Sequence, residues 1–183
     1  MLMQKQNAGL LVVDIQDKLL PAVHDADGLL ARSRWLIAVA RDHGLPIVFS
    51  EQYPRGLGGT LATLREAAPQ AQVVDKLHFS CVAAECLPPT LMERQQIIVC
   101  GMEAHVCVLQ TVLQLLAIGK QVFVVADAVS SRKPSDIELA IGRMRAAGAV
   151  IVSREMVLFE LLEQSGSEHF KQMSQRYLVG EQP

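Results

Sequence analysis

Three residues of this 183-residue chain stand where short apolar runs break off, and their types together could do chemistry. Asp14 follows Leu10-Leu11-Val12-Val13, Lys76 follows Val73-Val74-Asp75, and Cys107 comes shortly after Gly101, which ends the run Ile97-Ile98-Val99-Cys100. A free thiol, with a pKa of about 8.5, is only a few per cent ionised at neutral pH, so a nucleophilic cysteine needs a base or an electrostatic field. Asp14 can take the proton. Lys76 has apolar neighbours in Leu77 and Phe79, which suggests partial burial. A buried ammonium needs an anionic partner, and Asp14 and a Cys107 thiolate are the candidates. The same ammonium would stabilise negative charge in a transition state. The chemistry expected is attack on a carbonyl or related electrophile through a covalent thio-intermediate. His105 is the nearest histidine, but positions i and i+2 on a helix point to different sides, so Asp14 is preferred as the base. His24, His43, His78 and His169 have still less to favour them.

The elements that must hold these side chains are legible around them. The stretch Ile97 to Ile118 reads as a strand, a tight turn at Gly101 and a helix. Cys107 would lie in the first turn of that helix, where unpaired N–H groups and the macrodipole favour a thiolate, so a lowered thiol pKa is expected. The same turn offers backbone donors for an oxyanion. The bland alternative is that Cys107 is a small core residue. Ala104 to Ile118 has no charged side chain apart from a possible His105, so this helix must be covered nearly all round, by a second subunit or by the chain's own C-terminal helices.

Leu10 to Val13 reads as a buried central strand, Pro46 to Ser50 as a second, Val73 to Lys76 as a third, Gln121 to Ala126 as a fifth with Asp127 at its end, and Ala149 to Val152 as the last. Between them fall a helix capped by Asp25 or Asp27 and stopped by Gly44, a short helix over Leu61 to Ala68, and an irregular one over Glu85 to Gln95. A Ser135-x-x-Glu138 capping box opens a helix that closes at Gly148, and amphipathic helices in the tail cover the sheet. Glu51 to Thr60 lacks the spacing of a phosphate-binding loop and is expected to be a mobile active-site loop. Alternating strands and helices imply an α/β protein with a parallel sheet and helices on both faces. Ligands bind such sheets outside the carboxyl ends of the strands, which is where Asp14, Lys76 and Cys107 gather. Gln16, Gln52, Tyr53 and Phe79, beside those ends, are the candidate substrate contacts.

Composition narrows the function classes. Hydrophobic residues make up 50% of the chain and charged residues 20%, which excludes disorder, and one domain spanning 1–183 is expected. A net charge of −2 leaves no footprint for nucleic acid or a membrane surface, so the expected partner is a small-molecule substrate, with no nucleic acid and no membrane. No leader-like or membrane-spanning run is visible, which points to the cytoplasm. Cys81, Cys86, Cys100 and Cys107 form no C-x-x-C pair and read as free thiols.

With Asp14, Lys76 and Cys107 in place, the chain resembles the isochorismatase-like cysteine hydrolase family. The resemblance runs from Val12-Val13-Asp14-Ile15-Gln16 through Asp75-Lys76 to Gly101-Met102-Glu103-Ala104-His105-Val106-Cys107-Val108 and Ala126-Asp127-Ala128. Glu51-Gln52-Tyr53-Pro54 and Glu103 to Cys107 are most similar to the isochorismatase-domain-containing subgroup. The resemblance implies a three-layer α/β/α, Rossmann-like architecture with a central, mostly parallel six-stranded sheet, and a catalytic Asp14-Lys76-Cys107 triad. It also implies a cis peptide at Met102–Glu103, an oxyanion hole of the Glu103 and Cys107 amides, and a homo-oligomer. Nicotinamidases of the family carry an Asp-x-His metal site after the second strand, whereas this chain has Ser50-Glu51-Gln52-Tyr53, so no metal and no cofactor are expected. True isochorismatases lack the nucleophilic cysteine, so Cys107 favours hydrolysis of an amide or related C–N bond over cleavage of a vinyl ether or ester. A non-catalytic oligomeric scaffold and a thiol redox sensor are the readings from other classes.

Overall fold

Ala8–Val13 is buried at every position and forms β1 at the centre of the sheet, as an uninterrupted apolar run demands. The computed structural model describes residues 1–179. After β1 come α1 (Ala26–Asp42), β2 (Ile47–Gln52), the single turn α2 (Pro54–Leu57), α3 (Ala62–Ala67) and β3 (Gln72–Lys76). Next are the short α4 (Pro89–Met92), β4 (Gln96–Met102), a wide π-type turn over Ala104–Val108, and α5 (Leu109–Ala117). The order closes with β5 (Gln121–Ser130), α6 (Pro134–Ala146), β6 (Val150–Val152), α7 (Arg154–Leu162) and α8 (Glu168–Tyr177). The strands form one six-stranded sheet in the order β3-β2-β1-β4-β5-β6, and every pairing is parallel.

Alternation along each strand divides the core between two faces. Leu10, Val12, Phe49, Ile98 and Phe123 pack against Leu29, Leu36 and Ile37 of α1 and Val157 and Leu161 of α7. Leu11, Val13, Val48, Val99 and Val124 pack against Val112 and Leu115 of α5 and Ala140 and Met144 of α6. Each such side chain withdrawn fully from water contributes roughly 1.5–3 kcal/mol, so both faces of the sheet are strongly held. α8 lies outside α1, joined to it by Val39, Met173, Tyr177 and Trp35. Trp35 is therefore packing, with its indole N–H donating to the Tyr177 carbonyl at 3.3 Å.

Local details depart from the sequence expectations where long-range contacts override local signals. The stretch Glu85 to Gln95 forms only the single turn α4, because Pro88 and Pro89 break the pattern. α6 begins at Pro134, and Ser135 and Glu138 form no capping box there; the box that does form is at Ser153, which accepts from the Met156 amide. Asp25 stands before α1 but caps nothing with its side chain, which pairs instead with Arg32 at 2.7 Å. β5 does not stop at Ala126. Its register with β4 jumps between Val99 and Gly101, so Ala126, Asp127 and Ala128 bulge out and the strand resumes to Ser130. Asp127 in that bulge accepts from the Arg154 amide at the start of α7, at 2.9 Å. The C-terminal helices pack on the α1 side, so they do not cover α5.

Candidate active site

The parallel register delivers four strand ends to one place. Val13 lies beside Ser50 on one side and Gly101 on the other, and Gln52 lies beside Lys76. Gly101 has φ +121, and a Cβ there would meet the Val13 carbonyl oxygen at 2.1 Å, so only glycine lets β4 approach β1 at this level. Just beyond, the Met102–Glu103 peptide is cis. The chain then enters the turn that carries Cys107, with the Glu103 carbonyl accepting from the amides of Val106 (3.0 Å) and Val108 (3.2 Å). Asp14 itself has φ +53, a left-handed conformation that a short acidic residue tolerates better than most.

Asp14 and Lys76 form an ion pair at 2.8 Å with both side chains at 0% exposure. Each charge is saturated by further bonds, as burial requires. Ser50 Oγ donates to Asp14 Oδ1 at 2.7 Å, and Lys76 Nζ donates also to Gln52 Oε1 at 2.7 Å. Burial works against the Lys76 ammonium, but the Asp14 carboxylate, by its charge and its hydrogen bond, outweighs that and holds the pKa above the ordinary lysine value. Cys107 is 6% exposed, feels the charges of both Asp14 and Lys76, and has its Sγ 3.9 Å from Gln52 Oε1, the oxygen that also accepts from Lys76 Nζ. Its thiol is pushed up to about 12, first by burial and then by the Asp14 carboxylate, with Lys76 pulling the other way. This reverses the expected lowering. The helix end acts on Cys107 more weakly than desolvation and a neighbouring anion do. The resting arrangement is a neutral thiol next to a carboxylate already balanced by its cation.

The remaining sequence candidates fall into two groups. Tyr53 and Phe79 are 50% and 52% exposed at the rim, where they are free to meet a ligand. Gln16 is not: it is fully buried, and its amide is spent on the backbone, accepting from Gln52 N at 2.7 Å and donating to the carbonyls of Gln52 (3.0 Å) and Gly58 (2.6 Å). Gln52 is similarly engaged, since its Nε2 donates to the Leu77 carbonyl at 2.8 Å while its oxygen holds Lys76. The Gln16 amide is thus turned inward on the backbone, whereas half-buried Gln52 stands between Lys76 and Cys107 with its Nε2 near the surface. Across the segment 51–60, where a mobile loop is expected, Glu51 accepts from Thr60 N and Oγ1 at 2.7 and 2.8 Å and Gly58 O accepts from Gln16. His105 turns its Nδ1 to Ser131 Oγ at 3.0 Å, and Glu103 pairs its carboxylate with Arg132 at 2.5 Å. Ser50 was not singled out by sequence reasoning; its only signal was its place at the end of the strand that neighbours β1.

Among the described residues, no group of three or more His, Cys, Asp or Glu side chains is placed to hold a metal ion, and no helix is long and apolar enough to cross a membrane. A surface cavity of about 510 Å³ lies at the amino ends of the strands, around Pro46, Ala71 and Arg94, away from this cluster. The chemistry-bearing groups therefore mark the site, and cavity size does not.

Residues 8–156 match the Isochorismatase domain. Isochorismatase family protein 1B of Dictyostelium discoideum is 33% identical over 172 residues, covering 91% of this chain and 84% of the relative. Among solved structures, the MAR1 ribonuclease of Caenorhabditis elegans superposes with a TM-score of 0.91 at 38% identity, over 100% of this chain and 95% of that one. YcaC from Pseudomonas aeruginosa, solved with hexane-2,5-diol and covalent acrylamide, gives 0.84 at 28% identity, over 97% and 92% of the two chains.

Proposed function

Because this chain belongs to the isochorismatase family of hydrolases, we propose that it is a metal-independent cysteine hydrolase of a small-molecule amide or related C–N bond. The observation that carries this reading is the buried Asp14–Lys76 pair, bonded to Ser50 and Gln52, with the Cys107 thiol on the same Gln52 oxygen and within the field of both charges. Since the thiol is neutral at rest, Asp14 takes its proton as Sγ attacks the substrate carbonyl, and general-base transfer replaces a preformed thiolate. The backbone amides of Glu103 and Cys107 receive the oxyanion. Collapse of the tetrahedral intermediate breaks the C–N bond, with the amine leaving group taking the proton from Asp14. Water, deprotonated by Asp14, then hydrolyses the thioester and restores the thiol. Lys76 keeps its charge throughout and holds Asp14 in place. The covalent acrylamide on the Pseudomonas relative, itself a small amide, is in keeping with a reactive thiol in this fold.

The test is a panel of small amides, imides, esters and vinyl ethers, with an RNA oligonucleotide included because the Caenorhabditis relative is called a ribonuclease. The expected result is turnover of a C–N substrate, with an acyl group trapped on Cys107 by mass spectrometry. Turnover that survives in Cys107→Ala would overturn the proposal, as would hydrolysis confined to RNA. The net charge of −2 speaks against RNA.

The same reading includes a homo-oligomer. α5 buries Leu109, Val112 and Leu115 but leaves its outer face, with Leu113 and Leu116 half-buried, running on to Ile118 at 51% exposure, and no C-terminal helix covers it. Light scattering should give a multiple of 20.0 kDa, and a monomer mass would refute the shared face. Four free cysteines are in keeping with a reducing compartment, and the cytoplasm is the location that belongs to this reading.

A further inference from the structure

Cys81 and Cys86 take no part in the proposed hydrolysis, yet the turn they occupy is built to bring them together. The Cys86 amide donates to the Cys81 carbonyl at 3.4 Å and the Glu85 amide to the Val82 carbonyl at 3.0 Å. Glu85 sits between them in the left-handed region at φ +51. These two bonds around one left-handed residue are the pattern that ends a helix, and it brings the first and sixth side chains of the motif into contact. In most proteins that contact is apolar; here both positions are cysteine. The Cys86 Sγ donates to the Cys81 carbonyl oxygen at 3.5 Å, which lays its sulfur back over Cys81. The turn is anchored on α5, where Thr111 Oγ1 accepts from the Cys81 amide at 3.1 Å and Gln114 Oε1 from Ser80 Oγ at 2.6 Å.

We propose that Cys81 and Cys86 are a redox-active dithiol, set face to face by this helix-ending turn, which a peroxide oxidises to an intramolecular disulfide.

The two sulfurs have different parts. Cys81 is fully buried, whereas Cys86 is half-buried and open to a small oxidant. The Cys81 thiol beside it holds the Cys86 thiol below its ordinary pKa, while Cys81, Cys100 and Cys107 are all held above theirs. Cys86 Sγ therefore attacks the peroxide, the O–O bond breaks, and water or an alcohol leaves, giving a sulfenic acid on Cys86. Cys81 Sγ then displaces the hydroxyl from that sulfur, and its proton departs with the hydroxyl as a second water. The two thiols together lose two electrons and two protons, and the peroxide is reduced. Disulfides in a reducing compartment are transient and redox-sensing, so this pair is compatible with the free thiols of the resting state.

The experiment needs no substrate and so stands apart from the hydrolase reading. Fully reduced protein is exposed to hydrogen peroxide, blocked with an alkylating agent, digested and mapped by mass spectrometry. The expected product is a Cys81–Cys86 cross-linked peptide lighter by two hydrogens, reversed by dithiothreitol and absent from Cys86→Ser, whose backbone turn is intact. Oxidation that appears first at Cys107, or a Cys86 that proceeds to sulfinic acid while Cys81 stays alkylatable, would overturn the proposal.

Discussion

Replacing Lys76 by methionine would leave the Asp14 carboxylate buried without its cation. With both side chains at 0% exposure there is no solvent screening to soften the loss, and the Ser50 hydroxyl alone does not balance a full charge. Removing one partner of a buried pair costs about 3–5 kcal/mol. With a urea m-value of about 2 kcal/mol/M, the midpoint of unfolding should fall by about 2 M. The double variant Asp14→Asn with Lys76→Met removes both charges, keeps an amide oxygen for Ser50, and should return to within about 1–2 kcal/mol of the parent. The pair also sets an alkaline limit. Because the folded-state pKa of Lys76 is raised, its contribution is fully present below the unfolded value, about 10.4, and is lost as pH rises through the folded one. Urea unfolding followed by circular dichroism at pH 7.5 measures the parent and both variants. A Lys76→Met loss below about 1 kcal/mol, the size of a surface ion pair, would refute the account of a charged, dry Asp14–Lys76 pair.

Other consequences are direct. Asp14→Asn should abolish turnover with the fold retained by circular dichroism, since a thiol held up at about 12 needs a base and Asp14 is the carboxylate whose charge it feels; normal activity would remove Asp14 from that role. Alkylation by iodoacetamide at neutral pH should modify Cys86 before Cys107, read by peptide mass spectrometry, because burial and Asp14 keep Cys107 protonated while Cys86 is lowered. Gly101→Ala should cost roughly 3 kcal/mol or more, seen as a lowered melting temperature, because its Cβ would fall within 2.1 Å of the Val13 carbonyl oxygen. His43 is buried against the His169 ring, with Nδ1 bonded to the Val39 carbonyl at 2.9 Å and Nε2 without a hydrogen-bond partner among the described residues. Burial holds its pKa below 6.5, so stability should be intact above that unfolded value and decline as pH falls through it, and His43→Phe should flatten the melting profile between pH 7.5 and 5.

Much of the fold was legible in the sequence because it rests on local patterns. Apolar runs of strand length alternating with helical periodicity imply a parallel sheet, and all three of Asp14, Lys76 and Gly101 fall at strand ends by counting along those runs. The resemblance on those residues pointed to the family that the comparisons show. What the sequence could not decide is set by neighbours far away in the chain. The order β3-β2-β1-β4 places Ser50 and Gln52 against Asp14 and Lys76, and no local signal marks a serine or glutamine at a strand end as a partner to either. Asp127 looked like one more strand-end carboxylate, but β5 runs on past it because pairing with β4 resumes after the bulge. Position at a helix start suggested a thiolate at Cys107, yet the charge state of a group depends on how much water it loses and which charges surround it. Both are properties of the folded packing, and here burial and the Asp14 carboxylate outweigh Lys76 and keep the proton on sulfur.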